Sequence, residues 1–437
     1  MKDRYMKKLV LLFVIIVFLY STLFSQTGHW EKLNPNNNPG TRSEHGMAQI
    51  GTKKVLLFGG SSAAKVLNDT WIFDLESNNW NKIDCKNHPT PRTGFGFCQI
   101  SDKKVLLFGG ADDSYLPTFN DIWIFDLDSL DWKEMKPKGW EDQYYPVLTY
   151  RMGMAKLSNN LVIIHGGEIY DSTRPTQTFT NQTWYYHIDL NQWEDSYFFV
   201  PQERAYNMMA NIGNNIIINV DGYRFELLDD IWAFINGKWQ RQYLLNNKIP
   251  AICAGAFVGM DKGIAVLFGG LTNNVDTEKT WYDSTWILNY NNMLWTKLEL
   301  NTHPSDRLRV QMARIDTNKI LLFGGESQTN KRPEDTWLFV LDSIPTGVAD
   351  NQENSQFLSP NPATDFIEIS GIIPMLKHGV DYSNIKIYNV FGQTVFTVNP
   401  TPTLPASREG VRIDVSGLAP GMYFVMVGEK VSKFVKL

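Results

Sequence analysis

Cysteine is nearly absent from this chain, with only Cys85, Cys98 and Cys253 among 437 residues. Three excludes a full disulfide framework and leaves room for one bridge in an oxidising compartment; unpaired, packed thiols are the expectation. A basic surplus is missing as well. Forty-one Lys and Arg stand against 46 Asp and Glu, and the net charge of −5 argues against a nucleic-acid binder. The seven His residues, at positions 29, 45, 88, 165, 187, 303 and 378, show no spacing with Cys that resembles a zinc site. There is no Ser-based elbow and no Gly-rich phosphate loop, so no metal and no cofactor is expected. His165 stands at a Phe position of its strand and reads as a hydrogen-bonded core residue.

The apolar run Leu9 to Tyr20 follows Arg4, Lys7 and Lys8 and precedes the small or polar stretch Ser21-Thr22-Leu23-Phe24-Ser25-Gln26. That layout predicts a secretory signal peptide over 1–25, and the run is short of the roughly 20 apolar residues a membrane span needs. No stable transmembrane segment is expected after cleavage. No Cys follows the run, which argues against a lipid anchor.

What the chain does have is repetition. Val55-Leu56-Leu57-Phe58-Gly59-Gly60 recurs as Val105 to Gly110, Leu161 to Gly167, Val266 to Gly270 and Ile320 to Gly325, with Ile216 to Gly222 as a divergent copy. Each copy precedes an aromatic strand carrying Trp71, Trp123, Trp184, Trp232, Trp286 or Trp337, and a second Trp follows at Trp80, Trp132, Trp193, Trp239 or Trp295. Another strand precedes each doublet, opened by Arg42, Arg92, Arg151, Arg204 or Arg307, with Ala251 where a sixth Arg is expected. Four strands in about 50 residues make a sheet that cannot bury both faces alone, so such units stack radially into a propeller. The sixth copy lacks its second Trp, whereas Trp30-Glu31-Lys32-Leu33 matches Trp80-Asn81-Lys82-Ile83, so the N-terminal strand is expected to complete the last sheet.

The Arg-led strand, glycine doublet and Trp pair resemble the Kelch family over residues 29–342, which implies an all-β, six-bladed Kelch-type propeller. Residues 343–356 are a polar linker without repeat signal. Beyond it, 357–437 shows short alternating strands separated by Gly-Gln, Pro-Gly and Gly-Glu turns, predicting a small Ig-like β-sandwich. Ser359-Pro360-Asn361-Pro362-Ala363-Thr364-Asp365, Ile387-Tyr388-Asn389-Val390-Phe391-Gly392-Gln393 and Ile413 to Phe424 resemble the type A sorting domain of the type IX secretion system, as does the terminal Lys433-Phe434-Val435-Lys436-Leu437. That resemblance implies a Bacteroidetes-type bacterium, passage through the periplasm, the type IX machinery as partner, and a secreted or outer-membrane cell-surface address.

Strand order puts the Arg residues, the glycine doublets and the longer loops on one face, here the upper, and short turns such as Gly51-Thr52-Lys53-Lys54 on the lower. Long loops on a rigid scaffold are where binding residues concentrate. Arg42, Arg92, Arg151, Arg204 and Arg307 would ring the upper mouth and offer bidentate donors to an acidic glycan or protein ligand, with Tyr115, Tyr170, Tyr223, Arg224 and Trp281 beside them. Some Kelch adaptors bind acidic peptides through Arg at this position. The alternative is that these Arg residues pair with neighbouring Asp and carbonyl groups and tie the blades together. Resemblance to exported sialate mutarotases implies a further alternative, an enzyme acting on an acidic sugar with Glu203 as base and Arg204 as carboxylate clamp; a passive surface-assembly module is the third. A binding role without catalysis is the leading expectation.

Overall fold

Val55, Leu56, Leu57 and Phe58 are all fully buried, as are Val105 to Phe108 and Ile320 to Phe323. A strand that is apolar at every position, rather than at alternate ones, is covered on both faces. The computed structural model shows what covers them. It describes residues 28–112, 119–138, 145–146, 149–169, 178–196, 201–242, 249–273, 279–328, 332–342, 358–359, 363–369, 385–389, 393–397, 411–427 and 430–436. The expected signal peptide and linker lie outside them.

Among the described residues, six four-stranded antiparallel sheets lie between Gly28 and Leu341. Sheet one comprises Gly46–Gln49, Lys54–Ser61, Val66–Asp74 and Asn79–Ile83; sheet two comprises Gly96–Ser101, Lys104–Phe108, Ile122–Asp126 and Asp131–Met135. Sheet three runs from Gly153–Ser158 to Gln192–Asp195, sheet four from Met208–Asn211 to Lys238–Gln242, and sheet five from Ala256–Gly259 to Leu294–Leu298. Sheet six is Gln311–Asp316, Lys319–Phe323 and Thr336–Leu341, with Gly28–Leu33 as its outer strand. Trp30 pairs with Phe339 in that register, so the first described strand does complete the last sheet. The first strand of each sheet neighbours the first strand of the next, and sheet six returns to sheet one. The ring closes.

Indoles key sheet to sheet. Trp132 of sheet two donates its Nε1–H to Thr70 of sheet one at 3.0 Å, Trp80 to Thr336 of sheet six at 3.0 Å, Trp239 to Thr183 of sheet three at 3.0 Å, and Trp30 to Thr285 of sheet five at 2.9 Å. The indole N–H groups of Trp193 and Trp295 have no hydrogen-bond partner among the described residues. Ile122 and Ile231 stand in sheets two and four where the other sheets carry Thr, and Ile offers no acceptor.

The glycine doublets sit where neighbouring backbone comes close. Gly60 has φ of +92°, and a Cβ there would lie 2.7 Å from the Ser43 carbonyl. In sheet four Asp221 takes the first glycine's place at φ 48°, a left-handed conformation that Asp adopts more readily than most residues.

At the C-terminus, Leu358–Ser359, Phe366–Ile369 and Val411–Asp414 form one sheet, and Ile385–Asn389, Thr394–Thr397, Gly421–Val427 and Lys430–Lys436 form another. Ile367, Ile387, Ile413, Val425 and Phe434 share one buried core.

Candidate functional site: a plugged channel

Four of the five arginines expected to face a ligand are inside the sheets. Arg42, Arg92, Arg204 and Arg307 are at most 1% exposed. Arg42 makes a bidentate pair with Asp69 at 2.7 and 2.9 Å, Arg92 with Asp121 at 2.5 and 2.9 Å, and Arg204 with Asp230 at 2.6 and 2.9 Å. Arg307 meets Asp335 at 2.7 Å. Each also donates to the carbonyl of the first doublet residue, Gly59, Gly109, Asp221 or Gly324. The same Asp residues accept the indole N–H of Trp71, Trp123, Trp232 and Trp337. Burial works against ionisation of Asp69, Asp121 and Asp230, yet the guanidinium hydrogen bonds prevail and hold all three below the ordinary carboxylate range. These arginines are structural: each ties the start of a sheet to its doublet and its Trp strand.

Arg151 is different, because it does not share their register. Arg42 lies four residues before Gly46 and Arg92 four before Gly96, and by that count Thr149 holds the position in sheet three and Ile252 in sheet five. Arg151 aligns instead with Glu44, Gly94, Tyr206, Ala254 and Arg309. All six have positive φ, between 51° and 64°. That conformation turns each N–H towards the carbonyl of a neighbouring sheet: Gly94 donates to Glu44, Arg151 to Gly94, Tyr206 to Arg151, Ala254 to Tyr206, Arg309 to Ala254 and Glu44 to Arg309, at 2.5 to 3.1 Å. Six peptide hydrogen bonds thus encircle the axis. Arg, Tyr and Glu at positive φ are costly outliers that persist only when the surroundings over-determine them.

Side chains of this circle fill it. Glu44 Oε1 accepts from Arg151 Nε at 3.0 Å and lies 2.9 Å from Arg309 Nε, while Thr93 donates to its other oxygen at 3.0 Å. Arg151 also reaches Glu168 at 3.2 Å and stacks on Tyr206, whose hydroxyl accepts from Arg309 at 3.0 Å. Arg309 lies 3.6 Å from Glu326, which accepts from Arg332 and Ser43. Burial pushes Tyr206 up, reinforced by Glu44, so it stays a neutral phenol. Burial disfavours charge on Arg151, but Glu44, Tyr206 and Glu168 outweigh it and hold its pKa above the usual value. Three glutamates meet three arginines, and the upper end of the channel is plugged by a neutral network.

Below the plug are two chambers. The smaller, about 190 Å³, is lined by the circle and by Met47, Phe97, Met154, Met209, Phe257 and Met312. These six residues occupy one register of the six inner strands and also line the larger chamber of about 700 Å³. They form a waist. The larger chamber extends to the lower turns, at Asn159-Asn160, Asn214-Asn215 and Asp261.

Two overlapping stretches, residues 16–167 and 152–345, match the KLHDC2/KLHL20/DRC7 Kelch-repeats domain. The chain belongs to the Kelch-repeat family. Residues 358–437 match the secretion system C-terminal sorting domain. This Kelch protein is thereby marked for type IX export to the cell surface or the medium, and for interaction with the secretion machinery. No helix among the described residues is long and apolar enough to cross a membrane. No curated protein matches the chain.

On the upper face of the Kelch domain, Trp281 is half-buried and packs with Tyr206, Tyr223, Leu227 and Leu271 beside Cys253 and Leu308. Tyr223 and Arg224 end a long hairpin whose tip, Phe225, is 67% exposed at φ 59°. Phe179 meets Phe225 edge-on at 5.2 Å and Tyr223 at 6.0 Å. The expected contributors Tyr115 and Tyr170 lie outside the described residues. Sequence reasoning did not single out Phe225, although an aromatic between Arg224 and Glu226 in a hairpin turn was a usable signal.

Glu203 and Arg204 do not act on one point. Glu203 faces Arg224 at 3.0 Å, with both about 42% exposed, whereas Arg204 is buried on Asp230. The base-and-clamp geometry implied by the mutarotase resemblance is therefore not formed. His165 is fully buried and hydrogen-bonds Thr183 at 2.9 Å, and burial with nearby Arg204 lowers its pKa to about 3. Cys85, Cys98 and Cys253 form no disulfide with one another. Among the described residues no His, Cys, Asp and Glu group could hold a metal ion.

Proposed function

We propose that the chain is a six-bladed Kelch propeller, residues 29–342, that displays an upper-face site for a glycan or protein ligand outside the cell. In this reading a signal peptide at 1–25 starts export from a Bacteroidetes-type bacterium. The linker 343–356 leads to an Ig-like sandwich at 357–437 that completes export. The observation that carries the binding role is the aromatic ledge of Tyr223, Phe225 and Trp281, with Phe225 held exposed at a hairpin tip against buried Phe179. Exposed aromatic faces stack on sugar rings or take apolar side chains, and the neighbouring Arg224–Glu203 pair adds polar specificity. Tyr115 and Tyr170 are kept as proposed ligand contacts on sequence grounds. Arg151 supports it from beneath through Tyr206, and Arg42, Arg92, Arg204 and Arg307 keep the blades in place rather than touching ligand.

Glycan and peptide arrays probed with the mature protein test this. Phe225→Ala and Trp281→Ala are expected to abolish the binding that wild type shows, with melting temperatures held within a few degrees. Binding that ignores both substitutions contradicts the ledge, and the absence of any ligand for wild type favours a passive assembly module.

A further inference from the structure

We propose that the larger chamber of the channel is a second binding site, entered from the lower face, for a small acidic sugar. The geometry of access comes first. The peptide circle and the Glu44–Arg151–Arg309–Tyr206 network occupy the upper end, and the Met and Phe waist stands between the two chambers. The chamber below the waist reaches the short lower turns, and its volume of about 700 Å³ falls within the range of small-molecule pockets, roughly 300–1,000 Å³.

The wall has a distinct chemistry. Two residues beyond the waist, the inner strands place Gln49, Gln99, Lys156, Asn211, Gly259 and Arg314 at one register. No carboxylate stands in that ring. Asp261 at the rim is engaged by Arg314, and Asn211 donates to the Lys156 and Leu157 carbonyls. Lys156 has no ion-pair partner among the described residues, and the Gln49 and Gln99 side chains are half-buried. Among the described residues the chamber therefore offers one uncompensated cation, amide groups that donate and accept, and an apolar floor with the Phe97 and Phe257 rings. A carboxylate on Lys156, hydroxyls on the Gln amides and a C–H face against an aromatic ring are the contacts that an acidic monosaccharide makes. Cys98 also lines the chamber, but burial pushes its thiol up to about 12, so it supplies no thiolate.

Saturation-transfer NMR titrations of the full mature chain with D-glucuronate and D-glucose test the assignment. Wild type is expected to bind glucuronate saturably and glucose about tenfold more weakly, the size of one hydrogen bond to a charged group. Lys156→Gln, a change at a half-exposed position, should reduce glucuronate to the glucose level. Gln99→Trp, which narrows the chamber on the strand next to Lys156, should weaken both signals, with melting curves reporting that each variant is folded. The preference for glucuronate over glucose that depends on Lys156 should persist in Phe225→Ala, which separates this site from the upper ledge. No saturable glucuronate binding by wild type, equal binding of glucose, or binding that survives Lys156→Gln would each overturn the proposal.

Discussion

Sheets one, two, four and six carry a buried Arg paired with an Asp; sheets three and five carry neither. At the two positions sheet three has Thr149 and Gln182, and sheet five has Ile252 and Ser284. The Trp of each neutral sheet finds an uncharged partner instead, Trp184 on Gln182 and Trp286 on Tyr282, both at 3.2 Å. Acid and base come and go together. An arginine retained for a ligand would not need its carboxylate to vanish with it, whereas a buried ion pair does, because either partner left alone is an uncompensated charge.

The comparison can be broken most forcefully at Arg92. Arg92→Thr leaves the half-buried Asp121 beside Trp123 with its cation gone, and the expected loss is about 3 kcal/mol in urea unfolding. A loss under about 1 kcal/mol would mean that the pair is dispensable.

A second contrast is His165 against the Phe at the same strand position, Phe58, Phe108, Phe268 and Phe323. Its folded pKa is lowered to about 3 from an ordinary 6.5, so the unfolded chain binds a proton that the folded chain refuses. Its contribution to stability is complete above pH 6.5 and is lost as pH falls towards 3, at about 1.4 kcal/mol per pH unit. His165→Phe should flatten that share of the pH dependence between pH 7 and about pH 5, as read from urea midpoints. An unchanged slope would place the sensitivity elsewhere, with buried His45 the next group to change.

The smallest effect sharpens the indole contrast. Trp295 lacks the Thr acceptor that Trp132 has, because Ile231 stands there. Ile231→Thr is expected to be about 1 kcal/mol more stable than the isosteric Ile231→Val, the reverse of the usual order for a buried hydroxyl.

Much of this fold was legible in the sequence, because doublets, Trp pairs and the displaced Trp30 strand are local patterns set by backbone geometry. The site was less so. Arg151 reads as a fifth member of the Arg series until it is counted from Gly153, where Thr149 emerges as the true equivalent. The circle of Glu44, Gly94, Arg151, Tyr206, Ala254 and Arg309 has no common chemistry; its members share only a positive φ and a place around the axis. The Arg–Asp pairs join residues 26 to 29 positions apart, a separation that charge patterning alone does not mark. The alternative in which Arg pairs with neighbouring Asp describes these four residues.

Whether the buried arginines exist for their aspartates can be read from a double-mutant cycle in urea. Arg92→Thr and Asp121→Gln together copy the Thr149 and Gln182 of sheet three. Each single change is expected to cost at least about 3 kcal/mol, while the double variant returns to within about 1–2 kcal/mol of wild type, a coupling of at least about 4 kcal/mol. Losses that simply add, leaving the double variant the least stable, would contradict it.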